Sequence, residues 1–124
     1  VKVPPSPDFN RLSGCLHLGG YDRDLAAAAA RNFEDVGPLL VLHCAGLEYQ
    51  LILSGRLHYA VYSRTNPWDH APGQFILDQA GGYTAHLDGS PYELNILRHP
   101  SPLLATTGQG PWSDLCQHLF GLGQ

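Results

Sequence analysis

One segment of the 124-residue sequence carries a carboxylate in a setting suited to metal and phosphate chemistry. Asp69 lies in NPWDHAPGQFILDQAGG, residues 66–82, which opens with turn-forming residues and closes on two glycines, so we expect a helix there. Pro72 has no amide hydrogen and fits best in a first helical turn, which places Asp69 at or beside the N-cap. A carboxylate there either caps the helix, contributing about 1 kcal/mol, or serves as a hard oxygen ligand for Mg²⁺. The helix N-terminus would also favour a phosphate anion.

Histidine and cysteine show no spacing typical of a metal or nucleophile site. The seven histidines contain no HExxH or comparable pattern. Cys15, Cys44 and Cys116 form no CxxC pair, so the spacing predicts neither a structural zinc site nor a disulfide framework. Cys44 has no evident base partner and is not interpreted as a nucleophile. Glu48 is interpreted as a solvated or paired carboxylate. Unpaired cysteines favour a reducing cytoplasm.

Composition excludes several classes of partner. The formal net charge is −4, and the seven basic residues are scattered, so a nucleic-acid polymer is not a predicted partner. No apolar run approaches the roughly 20 residues that a membrane helix needs, so no membrane partner is predicted either. The sequence starts at Val1 and contains no methionine, from which we expect a processed, excised or truncated piece of a longer protein.

Strands and helices alternate along the sequence after a proline-rich arm. Residues 1–10 are predicted to be a linker, and residues 11–124 a single domain. Apolar, alternating and aromatic runs predict strands at residues 12–18, 39–43, 57–63, from 83 to the Asp88-Gly89 turn, and at 103–107. Helices are predicted at residues 23–36, 44–55, 66–82 and 111–121. This order predicts an α/β fold with a mixed or mostly parallel sheet of about five strands and helices on both faces.

Residues 66–82 resemble the WDxAAGxxLVxEAGG signature of the inositol monophosphatase family. The residues that stand where this pattern expects them are Trp68, Asp69, Ala71, Gly73, Leu77, Ala80, Gly81 and Gly82. Pro72 replaces the second alanine, and the Asp78-Gln79 pair shifts the usual acidic position by one residue. We expect Trp68 to be a core side chain beneath the site and Gly81-Gly82 to end the helix in a left-handed conformation.

The resemblance extends upstream of this motif. HCAGLEYQLILSGRLHYAVY, residues 43–62, aligns without gaps on the family pattern GSAALDLCYVAAGRLDAYFE. SGCLHLGGYD, residues 13–22, resembles the strand and glycine turn that begin the C-terminal domain in this family. The resemblance thus covers nearly the whole chain after the linker. It implies that residues 11–124 are the C-terminal α/β domain of such a protein.

The resemblance also implies an activity, a cofactor and residue roles. Members are Mg²⁺-dependent phosphatases of small phosphorylated substrates, and Asp69 would hold the metal nearest the leaving group. Cys44 and Ala45 fall where members offer backbone groups to the substrate, with packing as the alternative role. Tyr62 stands where inositol-specific members carry a glutamate that accepts hydrogen bonds from substrate hydroxyls, which weakens myo-inositol phosphate as the substrate. Arg64 either binds a second anionic group or is a solvated loop arginine.

Two metal-binding segments of the family are missing from this sequence. Members carry GEE-type and DPLDGT-type segments in an N-terminal half, and neither occurs here; LDGS at residues 87–90 lacks the preceding Asp-Pro. We therefore expect the isolated chain to be inactive, its partner to be the N-terminal half of the same enzyme, and the uncovered interface to cause dimerisation or aggregation. The alternative hypothesis is a non-catalytic α/β binding or interaction module that retains the fold. Sugar, inositol, histidinol and nucleotide phosphates all remain open as substrates.

Overall fold

A computed structural model describes residues 2–8, 11–17, 42, 44–63, 65–94 and 99–120. The strands are β1 (Gly14–His17), β2 (Tyr59–Tyr62), β3 (Tyr83–His86) and β4 (Leu103–Thr106). The helices are α1 (Ala45–Leu53), α2 (Pro67–Gln79) and α3 (Gln109–Phe120). The predicted helix at 23–36 lies outside the described residues, as does the predicted strand at 39–43 apart from its residue 42.

The four strands form one mixed sheet in the order β1-β2-β4-β3. β1 pairs with β2 in parallel, with His17 opposite Tyr62. β4 pairs antiparallel with β2 on one side and with β3 on the other. β1, β2 and β3 therefore run in one direction, and β4 is inserted between β2 and β3 in the opposite direction. The predicted mixed sheet is confirmed, with four of the expected strands in the described part of the chain.

Helices cover both faces of the sheet, as the alternation of elements predicts. Successive strand residues point to opposite faces, so Tyr59 and Val61 lie on one face while Ala60 and Tyr62 lie on the other. The first face packs against α3 through the buried side chains Trp112, Leu115 and Cys116. The second face packs against α1 and α2 through Tyr49, Ile52 and Leu77. The second face is the one that reaches the candidate site.

The start of α2 differs in two ways from the sequence-based expectation. Asn66 is the N-cap and Pro67 occupies the first turn, so Asp69 is the third helical residue and Pro72 lies inside the helix. Pro67 satisfies the preference of proline for the first helical position, which leaves Pro72 further along. Trp68 is 73% exposed and not a core side chain, because the buried face of α2 is set by His70 and Leu77.

The ends of α1 and α2 follow the glycine pattern in the sequence. Gly55 and Gly81, with φ of 78° and 97°, adopt left-handed conformations just beyond the two helices. Only Gly81 of the predicted Gly81-Gly82 pair does so; Gly82 instead lies close against Leu77 and the Thr106 carbonyl. In the described part of the chain, no helix has the length and apolar character needed to span a bilayer.

Replacing Gly73 by alanine is expected to destabilise the protein by about 1–3 kcal/mol. A glycine in a helix interior is normally about 1 kcal/mol worse than alanine. At Gly73, however, a Cβ atom would lie 2.6 Å from Cγ of Tyr49, where α1 and α2 pack together. Gly46→Ala in α1 is the matched control, since nothing lies within 4 Å of its added Cβ, and we expect it to be neutral or stabilising. Denaturant unfolding compares the two, and stabilisation by both substitutions would contradict close packing at Gly73.

Candidate active site

A pocket of about 220 Å³ opens where β1 and β2 end and α1 begins. Its lining residues are His17, Cys44, Ala45, Glu48 and Tyr62. His17 and Tyr62 are the last residues of two neighbouring parallel strands, and Cys44 is the N-cap of α1. Ligands of α/β sheets commonly bind outside the carboxyl ends of parallel strands. Three of the substrate contacts predicted from sequence therefore line a single pocket in the structure.

The predicted metal ligand Asp69 is not among the residues that line this pocket. Asp69 lies in the first turn of α2, where its side chain is exposed. The N-cap of this helix is Asn66, so Asp69 does not occupy the capping position that the sequence offered as an alternative. Arg64 lies outside the described residues.

The fully buried carboxylate of Glu48 organises the floor of the pocket. Oε1 of Glu48 accepts a hydrogen bond of 2.7 Å from the Tyr62 hydroxyl. Nε2 of His17 lies 2.9 Å from Oε2 and donates to it, because a carboxylate can only accept. The Sγ atom of Cys15 also lies within 4.8 Å of a carboxylate oxygen of Glu48. A buried charge is tolerated when donors surround it, and here Tyr62 and His17 supply them.

Burial and the neighbouring carboxylate keep the Cys15 thiol and the Tyr62 hydroxyl protonated. Burial first, and then the charge of Glu48, raise the pKa of the Cys15 thiol to about 12. Burial first, followed by Tyr49 and Glu48, raises the pKa of Tyr62 well above its usual range. The Tyr62 hydroxyl donates its only hydrogen to Glu48. Toward a molecule in the pocket, the Tyr62 oxygen can therefore only accept hydrogen bonds.

Aromatic packing connects the pocket to the first turn of α2. His70 packs edge-on against the Tyr62 ring with centroids 4.5 Å apart. Nδ1 of His70 lies 3.0 Å from the Tyr49 hydroxyl, and the Tyr49 ring stacks on Tyr62. These contacts fix the Tyr62 ring from two helices. They also hold the helical turn that carries Asp69 beside the wall of the pocket.

The potential metal ligands fall into two chemically different sets. Within the described residues, one group brings three together: donor atoms of Cys15, His17 and Glu48 all lie within 4.8 Å of one another. Mg²⁺ takes oxygen ligands and retains several waters, so a thiol and an imidazole do not suit it. The exposed carboxylate of Asp69 does suit Mg²⁺, as one ligand of several. The residues described here fit an Mg²⁺ site in part only.

Sequence reasoning missed Cys15 and His17 and underestimated the burial of Glu48. Cys15 and His17 are two apart on a strand, so both side chains face the same side of the sheet. Glu48 is four residues before the buried Ile52, on the inner face of α1. Both spacings are visible in the sequence. The approach of the two elements is not, because it depends on tertiary packing.

A family model describes most of this chain. The model of the inositol monophosphatase family matches residues 17–114. Among curated proteins, none matches the chain by sequence.

Solved structures with the same fold come from several bacteria. Inositol monophosphatase II from Staphylococcus aureus MSSA476 superposes with a TM-score of 0.76 at 21% identity, over 96% of this chain and 44% of that one. The enzyme of Thermotoga maritima gives a TM-score of 0.71 at 19% identity, over 96% and 45%. The enzyme of Anabaena (Nostoc) sp. PCC 7120 gives 0.73 at 18% identity, over 99% and 48%. At these identities the likeness establishes the fold, and the chain spans less than half the length of each.

Proposed function

Because the chain belongs to the inositol monophosphatase family, we propose that it is the C-terminal domain of an Mg²⁺-dependent phosphomonoesterase acting on small sugar, inositol or nucleotide phosphates. One observation carries the proposal: Cys44, Ala45 and Tyr62 line a single pocket, and contacts of His70 hold the exposed Asp69 turn beside it. These residues come from the end of one strand and the starts of two helices, which the fold brings to one place.

The pocket suits the binding of a small anionic, hydroxylated molecule. α1 begins at Ala45, and the first amide N–H groups of a helix have no partner within it. The N-cap Cys44 makes no side-chain cap, so these groups are available to an anionic oxygen. Tyr62 would accept a hydrogen bond from a substrate hydroxyl. The Tyr62 hydroxyl is hydrogen-bonded to Glu48. The negative charge of Glu48 therefore lies farther from the pocket, by the length of one hydrogen bond, than the glutamate that inositol-specific members carry at the position of Tyr62.

Asp69 would contribute one oxygen ligand to Mg²⁺. When bound, the metal neutralises phosphate charge and lowers the pKa of a coordinated water. The carboxylate of Asp69 is exposed and uncommitted among the described residues, as a metal ligand must be. A single carboxylate does not make a site, and we propose that the remaining ligands come from an N-terminal half. The coverage of only 44–48% of the solved relatives supports this division of the site.

The outer face of α2 supports a protein partner for this domain. Trp68, Phe75 and Ile76 are all more than half exposed, and their spacing of seven and eight residues places them on one side of the helix. Exposed apolar stripes of this kind mark interaction surfaces. We propose that the N-terminal half covers this face, and that the isolated domain dimerises or aggregates through it. Light scattering of the isolated domain at high concentration tests this, and a clean monomer would count against it.

Three free cysteines support a reducing cytoplasm as the location. Cys15 and Cys116 are buried thiols, and Cys44 is exposed beside the pocket. An exposed, unpaired thiol is stable in a compartment that keeps cysteines reduced.

Phosphate release tests the proposed function. The 124-residue chain and a longer polypeptide joining it to the N-terminal half are incubated with sugar, inositol and nucleotide phosphates, with and without Mg²⁺. We expect Mg²⁺-dependent release from the longer polypeptide and none from the chain alone. Turnover by the chain alone would contradict the division of the site. A folded longer polypeptide without turnover would contradict phosphatase function and leave the non-catalytic binding module.

A further inference from the structure

The floor of the pocket contains a second group of potential metal ligands, separate from Asp69. Cys15 and His17 project from the same face of β1, and Glu48 meets them from the inner face of α1. Their donor atoms lie within 4.8 Å of one another. Cys15 and Glu48 are fully buried, whereas the His17 side chain is about one quarter exposed, at 26%. The group is thus reachable from the pocket through His17.

We propose that Cys15, His17 and Glu48 bind a Zn²⁺ ion, with the pocket supplying an open coordination position. Thiolate, imidazole and carboxylate are the three ligand types that Zn²⁺ takes in proteins. A thiolate and an imidazole do not suit Mg²⁺, which prefers oxygen ligands. They suit Zn²⁺, which is a borderline-soft ion and prefers tetrahedral coordination. Three protein ligands and one open position are also the arrangement of zinc sites that exchange a water or an external ligand. The proposal does not depend on the phosphatase function.

His17 and Glu48 need only a small adjustment of their separation to hold the ion. With Zn–N and Zn–O bonds near 2.1 Å, tetrahedral ligands lie about 3.4 Å apart, and a sulfur and a nitrogen about 3.6 Å apart. Nε2 of His17 and Oε2 of Glu48 are now 2.9 Å apart and would separate by roughly 0.5 Å. Rotation about the side-chain torsions of His17 provides this, because that side chain borders the open pocket.

Charge and protons balance in the occupied site. Cys15 releases its thiol proton to solvent, and His17 coordinates through Nε2 with its remaining hydrogen on Nδ1. The thiolate and the Glu48 carboxylate carry two negative charges, which the divalent ion neutralises. At present, only hydrogen bonds compensate the buried carboxylate of Glu48. In the occupied site, a cation would compensate its charge as well.

Tyr62 supports the site without coordinating the ion. Its hydroxyl donates to Oε1 of Glu48 and leaves Oε2 for the metal. Its ring stacks on the His17 imidazole, with centroids 5.5 Å apart and planes only 5° from parallel. Partners of this kind fix the orientation of metal ligands, and losing one typically weakens metal binding by about 10–100-fold.

Cobalt substitution of the 124-residue chain tests the proposal. Co²⁺ bound by a thiolate shows a ligand-to-metal charge-transfer band that histidine and carboxylate sites lack. We expect this band in the parent protein, its displacement by one equivalent of Zn²⁺, and its persistence in excess Mg²⁺. Cys15→Ser should abolish it. The absence of the band in the folded parent would overturn the proposal.

The other two cysteines supply matched controls. Cys116→Ser removes a buried thiol from the opposite face of the sheet, and Cys44→Ser removes the exposed thiol beside the pocket. Both variants should retain the band. A band that is lost in Cys44→Ser and retained in Cys15→Ser would identify adventitious binding at the surface and overturn the proposal.

Tyr62→Phe keeps the proposal testable if Cys15→Ser does not fold. This substitution retains all three ligands and removes only the hydrogen bond to Glu48. We expect Zn²⁺ affinity, measured by competition with Co²⁺, to fall by about tenfold or more. Unchanged affinity in this variant would contradict coordination by Glu48.

Discussion

Replacing Glu48 by alanine should lower the free energy of unfolding by about 3–5 kcal/mol, as expected when one partner of a buried charged cluster is removed. The substitution leaves the Tyr62 hydroxyl and Nε2 of His17 without their shared acceptor. Each buried donor left unsatisfied costs about 1–3 kcal/mol. The lost side-chain volume adds a cavity between α1 and the sheet.

Glu48→Gln separates the loss of charge from the loss of shape. The amide oxygen can still accept from Tyr62, and His17 can change tautomer to accept from the amide nitrogen. We therefore expect a smaller loss, about 1–2 kcal/mol. Gln50→Ala on the exposed side of the same helix is the control and should change stability by less than about 0.5 kcal/mol. Denaturant unfolding measures all three, and a Glu48→Ala protein as stable as the control would refute the buried cluster.

Asp69→Asn should reduce Mg²⁺-dependent kcat/KM of the longer polypeptide by at least about 100-fold, equivalent to about 2.7 kcal/mol of transition-state stabilisation. A metal ion contributes several kcal/mol to charge stabilisation in phosphoryl transfer, and asparagine lacks the negative charge that holds it. The residue is exposed in the first turn of α2, so its replacement should change folding stability by less than about 1 kcal/mol. The expected result is loss of activity in a normally folded protein.

Asp78→Asn is the matched control for Asp69→Asn. Asp78 lies on the same helix, is also exposed, and hydrogen-bonds only to Gln74 among the side chains described. Steady-state kinetics over a range of Mg²⁺ concentrations should show near-normal activity for this variant. An Asp69→Asn variant as active as both an active parent and Asp78→Asn would contradict metal binding by Asp69.

The sequence predicted the fold better than it predicted the interior of the site. Glycines such as Gly55 and Gly81 end helices for a local steric reason, and alternation along Tyr59–Tyr62 assigns side chains to the two faces of the sheet. Both effects act within a few residues. They can therefore be inferred without knowing which elements meet.

The errors arise where tertiary contacts decide. Pro72 was expected in a first turn, but Pro67 takes that position and leaves Pro72 inside α2. Trp68 was expected in the core, but the inner face of α2 is set by the packing of His70 on Tyr62. Glu48 resembles an ordinary helix carboxylate until β1 brings His17 and Cys15 against it. The role of Glu48 thus depends on partners more than 30 positions away in the sequence.

The inserted strand β4 has a consequence for how this domain is synthesised. β2 and β3 do not touch each other in the sheet, since residues 103–106 lie between them. During translation, the position between β2 and β3 therefore stays empty until β4, the last of the described strands, has left the ribosome. Long-range pairing of this kind slows folding and leaves apolar strand edges open meanwhile. The nascent domain thus depends on residues 103–106 to join β2 and β3 in one sheet.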